Sequence, residues 1–249
     1  MVEYVAKQTV VELVETRNHL QEVHMKLVVF GDSILKGVIT IPGSSKLFDV
    51  TENDSLSLAQ KKLGFELDNR SIYGNISTKG LLKLKKYLEK CSSGELEAAD
   101  FCIIEFGSND CDYDWGTLIQ KVPLAEYLQS LKEMVSLCRA HKITPLSMGL
   151  IPYVCDDWFK TIIKGQDEKA ILTFLNGRPE TLGENQLIYK KALDTFIKEN
   201  QIQYLDPWPL FENHKDLMCY DGIHPNEKGY EVLSQAWVNF LSEVKKEFS

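Results

Sequence analysis

The feature that most constrains the fold is a recurring pair: a short apolar run ended by glycine, then an amphipathic helical stretch. Leu27-Val28-Val29-Phe30 closes on Gly31, and Asp100-Phe101-Cys102-Ile103-Ile104-Glu105-Phe106 closes on Gly107. A continuous apolar run of this length, without alternation, marks a strand covered on both faces. A weaker strand is expected over residues 65–73, a fourth over 143–150 and a fifth over 201–205. Between them, helical spacing predicts helices over 55–63, 78–88, 124–139, 185–198 and 227–244. Strands separated by helices of this length form a parallel sheet with helices on both faces. The expected fold is α/β: a three-layer α/β/α sandwich around a central parallel sheet of about five strands.

Residues 152–182 break this rhythm and read as an insertion or lid. Residues 1–24 read as an N-terminal helical extension, and residues 25–249 as a single domain. The 28 Lys and Arg against 36 Asp and Glu give a net charge of −8, which argues against nucleic acid or an anionic membrane as the main partner. No run of about 18 apolar residues offers a membrane span. The N-terminus does not read as a signal peptide, and six scattered cysteines without a C-x-x-C pair fit a reduced, cytoplasmic setting.

In a doubly wound sheet the ligand site lies at the carboxyl ends of the strands. Gly31-Asp32-Ser33, Gly74-Asn75 and Gly107-Ser108-Asn109-Asp110 fall there. A serine at a helix start can attack a carbonyl while its own N–H holds the oxyanion; Asp-Ser is equally a good N-cap. In Asp221-Gly222-Ile223-His224-Pro225 a carboxylate three residues before an imidazole can take its Nδ1–H and leave Nε2 as base. The same stretch also reads as a helix-start cap, with Pro225 at the first helical position. The Asn109 amide and the Gly74 N–H are neutral donors suited to an oxyanion, and both sit in ordinary turn sequences.

Taken together and in order, Gly31-Asp32-Ser33, Gly74, Gly107-Ser108-Asn109-Asp110 and Asp221-Gly222-Ile223-His224-Pro225 resemble the four blocks of the SGNH (GDSL-type) hydrolases. The resemblance covers residues 25–246, with Ile34 where the family name has leucine. It implies a flavodoxin-like sheet and hydrolysis of carboxylic esters through an acyl-enzyme. It implies Ser33 as nucleophile, His224 as general base and acid, and Asp221 as its orienting carboxylate. The Ser33 N–H, the Gly74 N–H and the Asn109 side chain would form the oxyanion hole, with no metal and no organic cofactor. The partner would be a small-molecule ester.

Other readings fit less of the chain. Ser33-Ile34-Leu35-Lys36 matches S-x-x-K, but no K-T-G or K-S-G accompanies it. A metal-dependent phosphoesterase would need a richer ligand cluster than Asp32, Asp110 and His224. A Cys219–His224 pair lacks a strand-to-helix elbow. A catalytically inactive binding domain is the non-enzyme alternative, set against a site whose every position is filled.

For the substrate, the stretch 110–115 is expected to border the site, with Tyr113 and Trp115 either in stacking roles beside Asp32, Ile34, Tyr153 and Ile223 or simply packing the loop. The insertion carries Trp158, Phe159, Ile162, Ile163 and Phe174, suited to an acyl-binding wall or to an oligomer contact. The leading expectation is a small-acyl or carbohydrate acetylesterase, with lysophospholipase or thioesterase as the alternative. The sequence leaves the oligomeric state open.

Overall fold

The computed structural model describes residues 25–248 except Ser45 and Leu47. The helix expected within residues 1–24 lies outside the described residues. Five strands, β1 (Lys26–Phe30), β2 (Glu66–Asn69), β3 (Phe101–Ile104), β4 (Thr144–Met148) and β5 (Gln203–Leu205), form one sheet in the order β2-β1-β3-β4-β5. Every pairing is parallel, with Leu27 opposite Phe101 and Leu67, and Ile103 opposite Leu146. The chain runs outward from β1 to β2, then returns past β1 to β3. The order therefore reverses between β1 and β3, and the crevice beyond their carboxyl ends is where this topology places a ligand.

The apolar runs explain the layers. Successive side chains of a strand face opposite ways, so Val28 and Phe30 join Cys102 and Ile104 under helices α3 (Ser77–Ser92), α4 (Leu124–Ala140) and α7 (Thr181–Glu199). Leu27 and Val29 join Phe101, Ile103, Leu146 and Met148 on the other face, under α2 (Ser55–Leu63) and α9 (Glu227–Glu247). Trp237 of α9 is wholly buried there. Helix α1 (Ser33–Lys36) is a single turn directly after β1, and α8 (Trp208–Phe211) follows β5.

Residues 152–182 contribute α5 (Cys155–Ile162) and α6 (Glu168–Phe174). Their apolar residues Ile162, Ile171 and Leu175 meet Leu182 in a small separate core, against which Trp115, Leu118 and Trp158 pack. Trp115 and Leu118 lie in a short antiparallel hairpin pairing Tyr113–Asp114 with Ile119–Gln120.

Several element ends differ from those read off the sequence, and Pro225 is not the first helical position. β2 stops at Asn69 because its side chain takes the Ser71 N–H (3.0 Å) and donates to Leu35 O (2.7 Å), turning the chain. Helix α7 starts at Thr181 rather than 185, because Leu182 is drawn into the small core. Pro225 lies ahead of α9, whose cap is Asn226: the Asn226 side chain accepts the Gly229 N–H at 3.0 Å. The six cysteines are free. Among the described residues no helix is long and apolar enough to cross a membrane.

Candidate active site

Ser33 is the first residue of α1, just beyond β1, and it is almost fully buried. Asp32 is the cap: its Oδ1 accepts the Ile34 N–H at 2.8 Å. The capping and nucleophile readings thus fall on adjacent residues. With Asp32 satisfying the helix start, the Ser33 hydroxyl is left to point at His224, whose Nε2 lies 2.9 Å from Oγ. His224 Nδ1 lies 2.6 Å from Asp221 Oδ2. Asp221 Oδ1 accepts the backbone N–H groups of Ile223 (3.1 Å) and His224 (3.2 Å), so the carboxylate and the imidazole belong to one tight turn. Burial works to raise the Asp221 pKa. The hydrogen bond to His224, that residue's charge and the two N–H groups outweigh it and hold the carboxyl below its usual value. It is therefore ionised and acts as an acceptor for Nδ1–H, which leaves Nε2 as the lone pair facing Ser33.

The turn is fixed from both sides. Cys219 N–H donates to His224 O at 2.7 Å, and Val154 N–H, just ahead of α5, donates to Gly222 O at 2.8 Å. Cys219 Sγ is spent on Pro225 O at 3.3 Å. The Tyr73 ring stacks against His224 (centroids 6.1 Å apart, planes at 23°), and Phe48 stacks on Tyr73 at 4.1 Å.

Gly74 ends a turn closed by the Asn75 N–H on Ile72 O (3.1 Å); its φ of +66° is the left-handed conformation that such a third turn position reserves for glycine. Asn109 follows β3 and donates through Nδ2 to Asp32 Oδ2 at 2.8 Å. Among the described residues neither the Ser33 N–H nor the Gly74 N–H is donated to a backbone oxygen. Ser33, Gly74, Asn109 and His224 line one cavity of about 130 Å³.

Beneath this surface lies a cluster of acids. Glu105, at the end of β3, accepts the Asp32 N–H at 3.0 Å. Burial, then the Asp32 charge, push Glu105 well above the usual carboxylate range. Burial also raises Asp32, against the Ile34 N–H that holds it down. Burial pushes Asp110 up to about 6, although its Oδ1 accepts from both the N–H and the hydroxyl of Ser77.

Of the binding residues expected from the sequence, Asp32, Ile34, Tyr153 and Ile223 line the cavity. Tyr113 and Trp115 do not. Their rings meet edge to face (5.4 Å) and both pack edge-on against Phe174 of α6, contacts that hold them away from the cavity; Trp115 also packs on the small core. The wall instead receives Asp112, Lys121 and Trp158. Trp158 was legible only as apolar mass. Glu105 had a signal, a lone acid inside an apolar run, whereas Lys121 had none.

Known proteins resemble this chain. A family model described as the GDSL-like lipase/acylhydrolase family matches residues 29–232. The isoamyl acetate-hydrolyzing esterase of Saccharomyces cerevisiae is 25% identical over 118 residues, 46% of this chain and 46% of its own length. The human isoamyl acetate-hydrolyzing esterase 1 homolog is 28% identical over 177 residues, 68% of this chain and 66% of its own. The chain thus spans less than two thirds of either relative. The lipase/acylhydrolase from Enterococcus faecalis superposes with a TM-score of 0.64 at 19% identity, over 90% of this chain and 96% of that one. The match of the family model over most of the sequence, on a sheet whose switch point carries the motif residues, settles the assignment: this chain belongs to the GDSL-like lipase/acylhydrolase family, whose members are hydrolases of ester bonds.

Proposed function

We propose that this protein is a serine esterase of short-chain carboxylic esters, working through Ser33, His224 and Asp221. The observation that carries the reading is the relay from Ser33 Oγ to His224 Nε2 (2.9 Å) and from Nδ1 to Asp221 Oδ2 (2.6 Å). Both are hydrogen-bond distances for a base and its orienting group.

In this reading Ser33 Oγ attacks the ester carbonyl and passes its proton to Nε2. The tetrahedral oxyanion is held by the Ser33 and Gly74 N–H groups and the Asn109 amide. His224 then protonates the departing alkoxide, and an acyl-Ser33 remains. Water attacks that ester, with Nε2 taking its proton. The acid leaves and Ser33 recovers its hydrogen. Asp221 keeps the imidazole in the tautomer that each step needs and stabilises the imidazolium.

The size of the cavity supports a small acyl group. A volume of about 130 Å³ is close to that of the roughly 150 Å³ cavities that admit benzene. A long acyl chain would have to run out of it. The two relatives named for hydrolysing isoamyl acetate point the same way. Tyr153 and Trp158 suit the insertion as a wall of the site.

A fluorophosphonate should label Ser33, read by mass spectrometry of the modified peptide. Ser33→Ala and His224→Ala should each lower kcat on p-nitrophenyl acetate by about 10³-fold or more, and the double variant little further. Labelling at another serine, or losses that multiply in the double variant, would remove the reading.

A further inference from the structure

The Asn109 amide can serve an oxyanion only if the backbone that carries it is held in place. The Ser108 C=O and the Asn109 N–H belong to one planar peptide unit, so a grip on the Ser108 oxygen sets how the chain enters Asn109. Two side chains donate to that oxygen: the Tyr153 hydroxyl, and the Cys111 thiol, whose Sγ is 3.3 Å away. A thiol is a weak donor beside a phenol. Desolvation of the phenol raises its pKa well above the ordinary value, so it is protonated and free to donate.

Tyr153 is itself anchored from outside the loop. Its N–H donates at 2.9 Å to Oε1 of Gln186 on α7, and Gln186 Nε2 donates at 2.9 Å to Ile151 O. Gln186 is wholly buried, and an amide paired at both ends is a rigid support. Its grip reaches, through Tyr153, a peptide unit 45 positions earlier in the chain. Other bonds hold the flanks of the loop: Cys111 N–H donates to Gly107 O and Ser77 N–H to Asp110 Oδ1, each at 2.9 Å. Neither involves the peptide unit of Ser108 and Asn109. The Tyr153 ring lines the same cavity as Ser33 and Asn109.

We propose that Tyr153 is a positioning residue for the oxyanion hole: by holding the Ser108 carbonyl, its hydroxyl aims the Asn109 amide at the carbonyl oxygen of an ester bound at Ser33. The role rests on the reading of Ser33 as nucleophile and Asn109 as donor. Tyr153 touches no reacting atom in it and acts only through Asn109. Removing the hydroxyl can therefore cost no more than removing the Asn109 donor, about 10²–10³ in kcat. It must cost nothing further where that donor is already absent. A residue that merely braced the loop, or shaped the wall for the acyl group, would obey neither limit.

The test is a double-variant cycle on p-nitrophenyl acetate with Tyr153→Phe, Asn109→Ala and both together. Tyr153→Phe keeps the ring in the cavity wall and removes only the hydroxyl. Active sites are counted by fluorophosphonate labelling of Ser33 run to completion, so kcat refers to folded enzyme alone. The rate of Ser33→Ala is subtracted as background. Tyr153→Phe should lower kcat by about tenfold while KM barely moves, because a displaced donor is missed mainly in the transition state. In the Asn109→Ala background the same substitution should leave kcat unchanged. An unchanged kcat for Tyr153→Phe in the wild-type background, a rise in KM alone, or a loss of equal size in both backgrounds would overturn the positioning role. Each of these results would leave Ser33 and Asn109 as they stand. Normal turnover by Asn109→Ala would remove the donor and the positioning role together, and Ser33 would still be judged by its labelling.

Discussion

Asn109 is the residue at which shape and proposed chemistry can be separated. One of its amide hydrogens goes to Asp32 Oδ2 at 2.8 Å, which fixes the side chain, and the amide faces the same cavity as Ser33. A donor held in place before the reaction needs no reorganisation when charge develops. Asn109→Ala should therefore lower kcat by about 10²–10³ while KM barely moves, because the ground-state carbonyl gains little from the donor. If the residue serves only the local hydrogen bond, the variant should instead lose about 1 kcal/mol of stability and keep near-normal kcat in its folded fraction. Melting curves and kcat on the same preparation separate the two. At this scale the placement of the proposed site was legible, because Ser33, Asn109 and the Asp221–His224 turn all sit at strand ends or a helix start. The aromatic neighbours were not. Tyr113 and Asp112 are adjacent, yet the Tyr113 ring packs edge-on against Phe174 while Asp112 lines the cavity. Sequence shows which residues are near a site, but only tertiary packing chooses which of two neighbours faces it.

Elements here hold one another through their ends. Helix α3 has no side-chain cap of its own at Ile76; the Ser77 N–H is taken at 2.9 Å by Asp110, which follows β3. The start of α5 leans on the Asp221–His224 turn in the same way. Gly222 has φ +78°, and a Cβ placed on it would lie 2.6 Å from Val154 O and 2.7 Å from Trp158 N. Both the backbone conformation and the close approach of another backbone demand glycine. Gly222→Ala should displace the Asp221–His224 turn, lowering kcat on a simple aryl acetate by about tenfold or more and destabilising the fold by about 1–3 kcal/mol. Near-wild-type kinetics from this variant would show that α5 and the turn move independently. The sequence made the helices and strands visible through their apolar period. It could not show these contacts, since a cap borrowed from a residue 33 positions away leaves no local pattern.

For the whole molecule, the parallel sheet buries its strand ends, and this protein puts acids there: Asp32, Glu105 and Asp110 are all at most 1% exposed. Burial is the first cause of the rise in each of their pKa values, and the raised groups also act on one another. Such an arrangement trades stability for a rigid elbow under Ser33, and the trade is measurable through Asp110. Its folded pKa is raised to about 6 from the ordinary 3.8, so between those values the native state binds more protons than the unfolded chain. Stability from this group is thus fully present below about pH 4 and lost as pH rises through 6. Asp110→Asn keeps an oxygen to accept from Ser77 and removes the titration; it also removes a charge that helps to raise Glu105. Relative to wild type, the variant should therefore gain ground as pH rises. Urea unfolding at pH 5 and at pH 7.5 should show the difference between the two proteins moving toward the variant by roughly 1 kcal/mol, the part of that titration lying between the two pH values. A difference that stays constant, or that moves toward the wild type, would mean that Asp110 is ionised throughout. Its hydrogen bonds from Ser77 would then outweigh its burial.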